Sequence, residues 1–452
     1  MRTGTAPDCL LIGRTPIHSA TCRGGGNDSK PRVVGRLNSE QFRVHQPNQI
    51  LRISGSEAGS VLLTIPLAIS LQAFSPAAIA LPGDTFTPYV FVSMSHDSNL
   101  FRLNNAASAT DPADTLRRAG AGLNVDWRVA RQQVLLTAAI NDNRFNRYSA
   151  LNYQGRDLRG AWNWQFGDHF SGDLGYTNSR AIGSFADQQH AVSNLRTGER
   201  AFFDGIWSFH PSWQLGVGAS QNKLIFQDVA QRIYDRVDDV WETSLQYLSS
   251  ANNRVGIKLR ETNGHYPNQA VDFFSMLDSG YQQREILATL DWSDGGHNQV
   301  GGYAGTVHRK HDHFSRRDYS DINARGTYGW LPTRNIRLNV SAWHEVWAYD
   351  DLTTSYSRNR GVGLEPRWTP FSTITISGRI LREQRDFLGD PGILAALATR
   401  RDTAVRRDLA VVYQPAPSYT FNVSVGDDRR ESNQSQFSFY SKMVNIGATF
   451  QM

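Results

Sequence analysis

The amino-acid sequence predicts an all-β fold, namely a transmembrane antiparallel outer-membrane β-barrel of about 18 strands preceded by a signal peptide. Three observations predict it. Apolar and polar residues alternate along segment after segment, short turns recur about every 40 residues, and aromatic residues cluster beside those turns. Each is explained by strands that face lipid on one side and water on the other.

The clearest hairpin spans residues 155–180. Apolar residues recur at every second position over 158–166, and they do so again over 170–176 after the turn Gly167-Asp168. Since successive side chains of a strand point to opposite faces, this pattern predicts an antiparallel hairpin with one apolar and one polar face.

Eight short turns resemble the one in this hairpin, and longer polar connections separate them. They are Ala130-Arg131, Gly167-Asp168, His210-Pro211-Ser212, Ser250-Ala251-Asn252, Asp294-Gly295-Gly296, Leu331-Pro332-Thr333, Thr369-Pro370-Phe371 and Pro415-Ala416-Pro417. Eight such turns between nine hairpins with long loops predict about 18 strands, with both termini in the periplasm.

Large aromatic residues lie at the short-turn ends of the predicted strands. They are Trp127, Trp164, Phe166, Phe170, Trp207, Trp213, Trp292, Trp330, Trp368, Tyr413 and Tyr419. Because amphipathic rings favour the headgroup level, we interpret them as the periplasmic girdle of a barrel. A soluble aromatic core would not explain why the rings follow the turns.

The composition excludes other classes of protein. Hydrophobic residues make up 40% of the chain, which is too few for a bundle of membrane helices. The net charge of +5 comes from basic residues interleaved with acids, so we expect no nucleic-acid partner. The two cysteines, Cys9 and Cys22, precede the predicted barrel, which therefore has no disulfide or thiol chemistry.

The N-terminal part predicts three segments. Residues 1–50 are polar and aperiodic, and we interpret them as disordered or as the product of an over-long gene model. Residues 51–80 hold a basic flank, an apolar core and the small residues Ala78 and Ala80, as a signal peptide does. The barrel is expected to occupy residues 81–452.

The polar parity of the strands is rich in charge, and we expect it to face the lumen. The candidate substrate path consists of Arg118, Arg159, Arg254, Arg325, Arg337, Arg367 and Arg379 with Asp173 and Glu365. These arginines suit an anionic or hydroxyl-rich solute, because guanidinium groups bind carboxylates as forks. The alternative is that the lumen charges only pair with each other across strands.

No catalytic, cofactor or metal site is predicted. His308, His311, Asp312 and His313 lie close in sequence, but their basic neighbours oppose a cation. The sequence has no nucleophile elbow, phosphate-binding loop or zinc-protease motif. We therefore expect no cofactor and no enzyme. The alternative is a barrel enzyme whose serine–histidine or acid pair is distant in sequence.

Two loops carry apolar stretches, at residues 271–277 and 391–397. Either stretch would fold into the lumen as a constriction or a short helix, or would pack as a surface loop. The sequence does not separate these two interpretations.

Three motifs resemble a known family. They are Pro88-Tyr-Val-Phe with His96-Asp-Ser-Asn-Leu-Phe-Arg102, Asp142-Asn-Arg-Phe-Asn146, and Leu158-Arg-Gly-Ala-Trp-Asn-Trp164. From about residue 85 to its end, the chain is similar to EpsL-type outer-membrane proteins of exosortase-associated exopolysaccharide loci, within the broad class of β-barrel porins. His96 stands where that family is expected to have tyrosine.

The resemblance implies a Gram-negative outer-membrane protein that exports or assembles a polysaccharide. Its expected partners are outer-membrane lipid, the polysaccharide, periplasmic export components and the barrel assembly machinery, whose recognition signal the alternating C-terminal segment 444–450 resembles. Three functions follow as hypotheses: an exopolysaccharide export barrel, a general diffusive porin for small solutes, and a barrel enzyme that modifies polysaccharide or lipid.

Overall fold

The computed structural model describes residues 85–104, 111–186, 195–349, 353–393 and 399–452. The extension predicted over 1–50 and the signal peptide predicted over 51–80 lie outside these residues, and both stay predictions. The barrel assigned to residues 81–452 is described from residue 85 onward.

The described residues form eighteen strands. They are β1 (Phe86–Asp97), β2 (Asp114–Val129), β3 (Gln132–Phe145), β4 (Tyr153–Phe166), β5 (Phe170–Ile182), β6 (Leu195–His210), β7 (Trp213–Phe226), β8 (Arg236–Leu248), β9 (Arg254–His265), β10 (Gly280–Ser293), β11 (Asn298–His311), β12 (Tyr319–Thr333), β13 (Ile336–Ala348), β14 (Tyr356–Phe371), β15 (Ile374–Leu388), β16 (Arg401–Ala416), β17 (Tyr419–Ser432) and β18 (Phe439–Gln451). Each strand pairs antiparallel with the next, and β1 pairs with β18, so the sheet closes. The predicted fold class and strand number are confirmed.

Among the described parts of the long loops, four carry short 3-10 helices, at Ser149–Leu151, Val229–Tyr234, Ser315–Arg317 and Ser435–Phe437. Within the described ranges, no helix combines the length and the hydropathy that a membrane-spanning helix requires.

The outer face of the barrel is apolar and exposed. On β17, the outward side chains of Tyr419, Phe421, Val423 and Val425 are each 45–47% exposed, whereas the inward Thr420 is 3% exposed. A closed barrel satisfies its backbone hydrogen bonds internally, and an exposed apolar wall of this kind is stable only against lipid. The protein is therefore an outer-membrane β-barrel.

The apolar wall ends below a ring of outward polar residues on the long-loop side. From β2 to β10 these are Arg117, Asp142, Arg156, Asn178, Glu199, Gln221, Asp239, Glu261 and Arg284, and from β14 to β18 they are Arg360, Arg382, Arg407, Asp427 and Lys442. Some neighbours in this outer ring lie directly opposite each other in the sheet, as Arg407, Asp427 and Lys442 do. Since long loops face the outside of the cell in such barrels, the outer ring marks the outer headgroup level.

The predicted aromatic residues lie at the other edge of the apolar wall. All of them except Trp164 are exposed large side chains, and Trp164 packs on Phe203 with ring centroids 6.0 Å apart. Several pairs stack along the edge, such as Phe170 on Trp207 at 6.1 Å. This arrangement is that of an interfacial girdle.

All eight short turns are present, but three lie further along the chain than predicted. The strands continue through Pro332, Pro370 and Pro415, and the turns follow at residues 334–335, 372–373 and 417–418. In each case the sheet register shifts around the proline. Proline has no N–H to donate to the ladder, so it produces an irregular strand end before the reversal itself.

Candidate functional site in the barrel lumen

Loops and buried polar side chains occupy part of the outer half of the lumen. The first of these loops begins where β1 ends. There Arg102 Nη1 donates to Asp97 Oδ2 at 2.8 Å, and Ser441 Oγ on β18 donates to Asp97 Oδ1. Asp428 on β17 lies 4.0 Å from Arg102 Nε. We call Asp97, Arg102, Asp428 and Ser441 the closure knot, because they connect the first strand to the last two.

Aromatic residues pack the β1–β2 loop against two other loops. The ring of Phe101 lies edge-on to Phe185 in the β5–β6 loop at 5.0 Å, and to Tyr148 in the β3–β4 loop at 4.6 Å. Leu100 and Phe101 are each only 3% exposed. Three loops from neighbouring hairpins therefore form one apolar cluster.

The β5–β6 loop reaches the far wall of the barrel. Arg430 Nη1 on β17 donates to the backbone oxygen of Ala186 at 2.9 Å. Ser184 and Ala186 line a cavity together with inward residues of β15 to β18, including Glu383 and Asp428. Because six strand steps separate β5 from β17 around the wall, this contact spans the lumen. We call Phe101, Ser184, Phe185, Ala186 and Arg430 the outer constriction.

A chain of buried ion pairs stiffens the wall on β8 to β10. Glu242 accepts from Arg260 Nε at 2.5 Å and from Lys258 Nζ at 3.0 Å, and Arg260 also contacts Glu285 at 3.3 Å. Buried charges of this kind are stable only when each has its partner.

The structure places every predicted path residue on the inner face, but it divides them by partner. Arg325 Nε bonds Glu345 at 2.7 Å, Arg379 Nε bonds Glu365 at 2.9 Å, and Arg159 lies 3.9 Å from Asp157. Arg325 and Arg379 follow the pairing alternative, because their acids lie on neighbouring strands, whereas the acid near Arg159 lies on the same strand β4.

Three further path residues have other neighbours. Arg118 stacks over the ring of Phe91 at 5.2 Å. Arg254 lies opposite Asp291, and the buried Asp173 lies opposite Asp204. That any of them contacts a solute stays a prediction.

Arg337 on β13 and Arg367 on β14 face each other directly near the short-turn end. Neither has a hydrogen bond or an ion pair with a described residue, and Glu365 beside them binds Arg379 instead. Of the predicted residues, the structure brings Arg337, Arg367, Arg379 and Glu365 together on β13 to β15. Arg254, Arg325 and Asp173 lie on other parts of the wall.

The histidines named in the sequence have three separate surroundings. His308 contacts Ser320 at 2.5 Å on the outer face, His311 is buried, and His313 binds Asp278 at 2.8 Å in the loops. In the described ranges, no group of three or more potential ligands is suited to a metal ion.

His308 and Ser320 are also the types of residue that a barrel hydrolase would use. However, no described residue accepts from or donates to the second ring nitrogen of His308. His96 and Thr115 make the same cross-strand contact at 3.0 Å. We therefore interpret both as pairing contacts between neighbouring strands.

The apolar loop at 271–277 is a surface loop, since Phe273 and Phe274 are 74% and 92% exposed. The stretch at 391–397 lies partly outside the described residues. The sequence did not point to the loops that do enter the lumen, at 98–104 and 183–186. The only available signal was the motif His96–Arg102, whose aspartate, asparagine and arginine are buried.

Comparisons with known proteins give weak similarity to solved structures and no family. No protein-family model matches the chain, and no curated protein matches it. Among solved structures, it is similar to a BenF-like porin from Pseudomonas fluorescens Pf-5, with 10% identity over 82% of this chain and 99% of that one and a TM-score of 0.48. OccK9 (OpdG) of Pseudomonas aeruginosa gives 10% identity over 81% and 98% with a TM-score of 0.48. OccAB3 of Acinetobacter baumannii gives 8% over 81% and 99% with a TM-score of 0.45. Similarity at this level carries no information on what passes through the barrel.

Proposed function

We propose that the protein is a diffusive channel for small hydrophilic solutes in the outer membrane. The observation that carries this proposal is the outer constriction, in which the β5–β6 loop reaches Arg430 across the lumen. A polysaccharide chain would have to displace this loop and the apolar cluster beneath it. A small solute would need a much narrower path past them.

The inner half of the lumen supports the same proposal. Arg254 and Arg367 are exposed there, and the side chain of Arg159 is 61% exposed. A wall of solvated charges favours ions and hydroxyl-rich solutes over apolar ones.

Polysaccharide export is the second candidate, and the resemblance to EpsL-type proteins is the observation that favours it. Two of the three motifs form structural parts of the lumen: the first builds the closure knot, and the second supplies the buried Asn143 and Phe145 next to it. Burial inside the barrel explains these residues without reference to a sugar.

Conductance in planar bilayers tests the first candidate against the second. We expect the purified barrel to give discrete current steps, and Phe185→Ala, which removes the ring that fills the constriction, to enlarge each step. Heat-modifiable migration on a gel verifies that the variant is folded. If wild type and variant both give no steps, while deletion of the gene leaves polymer in the periplasm, the export function replaces the channel.

A further inference from the structure

Two pairs of arginines lie on the outside of the barrel, at and just above the outer ring. Arg117 on β2 faces Arg144 on β3, and Arg156 on β4 faces Arg180 on β5. We call these four residues the arginine patch. Like charges directly opposite each other destabilise a sheet, so two such pairs on four adjacent strands call for an anion that neutralises them.

Within the described ranges, the protein supplies little of that neutralisation. Arg144 binds Asp142 at 2.6 Å, but Arg156 and Arg180 donate only to neutral side-chain amides, at 2.8 and 2.7 Å. Arg117 has neither a hydrogen bond nor an ion pair with any described residue. The next acid along the ring, Glu199, accepts from an asparagine.

In the arginine patch, arginines face each other directly. At other places in the outer ring opposite charges face each other, as Glu261 does Arg284 at 3.7 Å and as Arg407 does Asp427, and Arg382 faces the uncharged Val362 and Val405. The arc from β6 to β9 is acidic, with Glu199, Asp239 and Glu261.

The position of the arginine patch along the barrel axis indicates which anion it binds. Arg156 lies directly opposite Ile140, whose side chain is 70% exposed on the apolar wall. Arg117 likewise precedes the outward Ala119 by one step of the same face. The guanidinium groups therefore lie where acyl chains end and headgroups begin, and phosphate is the headgroup anion that a guanidinium fork matches.

We propose that the arginine patch is a binding site for the phosphate group of an anionic lipid in the outer leaflet. Such a lipid would lay its chains on the wall of β2 to β5 and its phosphate between the arginine pairs. Binding would relieve the repulsion within each pair and would fix the rotation of the barrel relative to that lipid.

Native mass spectrometry of the folded barrel in a non-ionic detergent tests this site, with phosphatidic acid as the probe and phosphatidylcholine of the same chains as the neutral comparison. We expect Arg117→Gln/Arg156→Gln to weaken binding of phosphatidic acid at least tenfold and to leave phosphatidylcholine unchanged. Arg144→Gln/Arg180→Gln is an independent second variant with the same expected result.

The matched control is Arg284→Gln, at the same level on β10 but paired with Glu261. It should bind phosphatidic acid as the wild type does. Unchanged affinity in both double variants, or an equal loss in the control, would overturn the site. Since all these side chains point away from the barrel interior, heat-modifiable migration should stay normal in each variant.

Discussion

Ala130 occupies a turn position that favours glycine. It lies in the two-residue connection between β2 and β3 with φ of 53°, a left-handed conformation in which a Cβ atom is crowded. Ala130→Gly should therefore stabilise the barrel by about 1 kcal/mol, since glycine adopts this conformation without strain. Urea unfolding in detergent micelles measures the change.

Gly167 gives the reverse test in the next short turn. Its φ is 59°, and a Cβ atom added there would meet no atom within 4 Å. Gly167→Ala should cost about 1 kcal/mol through the backbone alone. If Ala130→Gly destabilised the barrel and Gly167→Ala did not, turn strain would not limit its stability.

The face of each residue could be predicted from the sequence, because side-chain direction in a strand depends only on parity. Arg325 and Arg337 were thus both placed in the lumen. Their partners could not be predicted, since Glu345 is twenty residues from Arg325 and meets it only through the register of β12 and β13. One arginine is therefore paired and the other is not.

At the scale of elements, the closure knot joins the first strand of the described barrel to the last two. The side chains of Arg102 and Asp97 are 8% and 3% exposed. Asp97→Asn removes the charge that Arg102 requires, and breaking one partner of a buried pair costs about 3 kcal/mol. We expect the variant to lose its folded, heat-modifiable band at a lower temperature than the wild type.

Arg128→Gln is the control for this variant. Arg128 binds Asp126 at 2.8 Å, but its side chain is 64% exposed, so the loss should stay below about 1 kcal/mol. Equal melting of the two variants would contradict a stabilising role of the closure knot.

The contact between His313 and Asp278, which joins two loops, should depend on pH. His313 binds Asp278, and this hydrogen bond raises the pKa of His313 above its ordinary value of 6.5. A group whose folded pKa is raised contributes stability below the unfolded pKa and loses it as the pH rises through the folded pKa. The contact between the β9–β10 and β11–β12 loops should therefore loosen as the pH rises above about 6.5.

Hydrogen exchange of residues 266–279 between pH 5.5 and pH 8, corrected for the intrinsic rate, measures this loosening. In His313→Gln the corrected protection should no longer depend on pH. The same pH dependence in wild type and variant would assign it to another group.

Strands and short turns could be predicted from local patterns, whereas the loops could not. Alternation and turn residues act over a few positions, so β4, β5 and the turn at Gly167 between them could all be predicted. The exposed loop at 271–277 is more apolar than the segment around Ser184 that enters the lumen. The position of the segment around Ser184 is decided by contacts with a strand more than 240 residues away, as between Ala186 and Arg430.

For the whole molecule, the number of strands follows from counting turns, and closure follows because a lipid-exposed sheet has no tolerated edge. What passes through the lumen depends instead on the charges that stay unpaired inside it. Arg337 and Arg367 are the clearest such charges, because they face each other and no described acid binds them.

Removing this pair of charges tests whether the lumen selects by charge. In Arg337→Gln/Arg367→Gln, the ratio of anion to cation permeability should fall on the order of threefold, because the local potential that concentrates anions is lost. Reversal potentials across a salt gradient in planar bilayers measure the ratio. Arg360→Gln, which removes an outward charge from the same strand, is the matched control and should leave the ratio unchanged. Arg325→Gln should instead impair folding, since it leaves the buried Glu345 carboxylate without its cationic partner. An unchanged ratio in the correctly folded double variant would show that the lumen arginines only support the wall, and the solute path would then have to be sought elsewhere on the inner face.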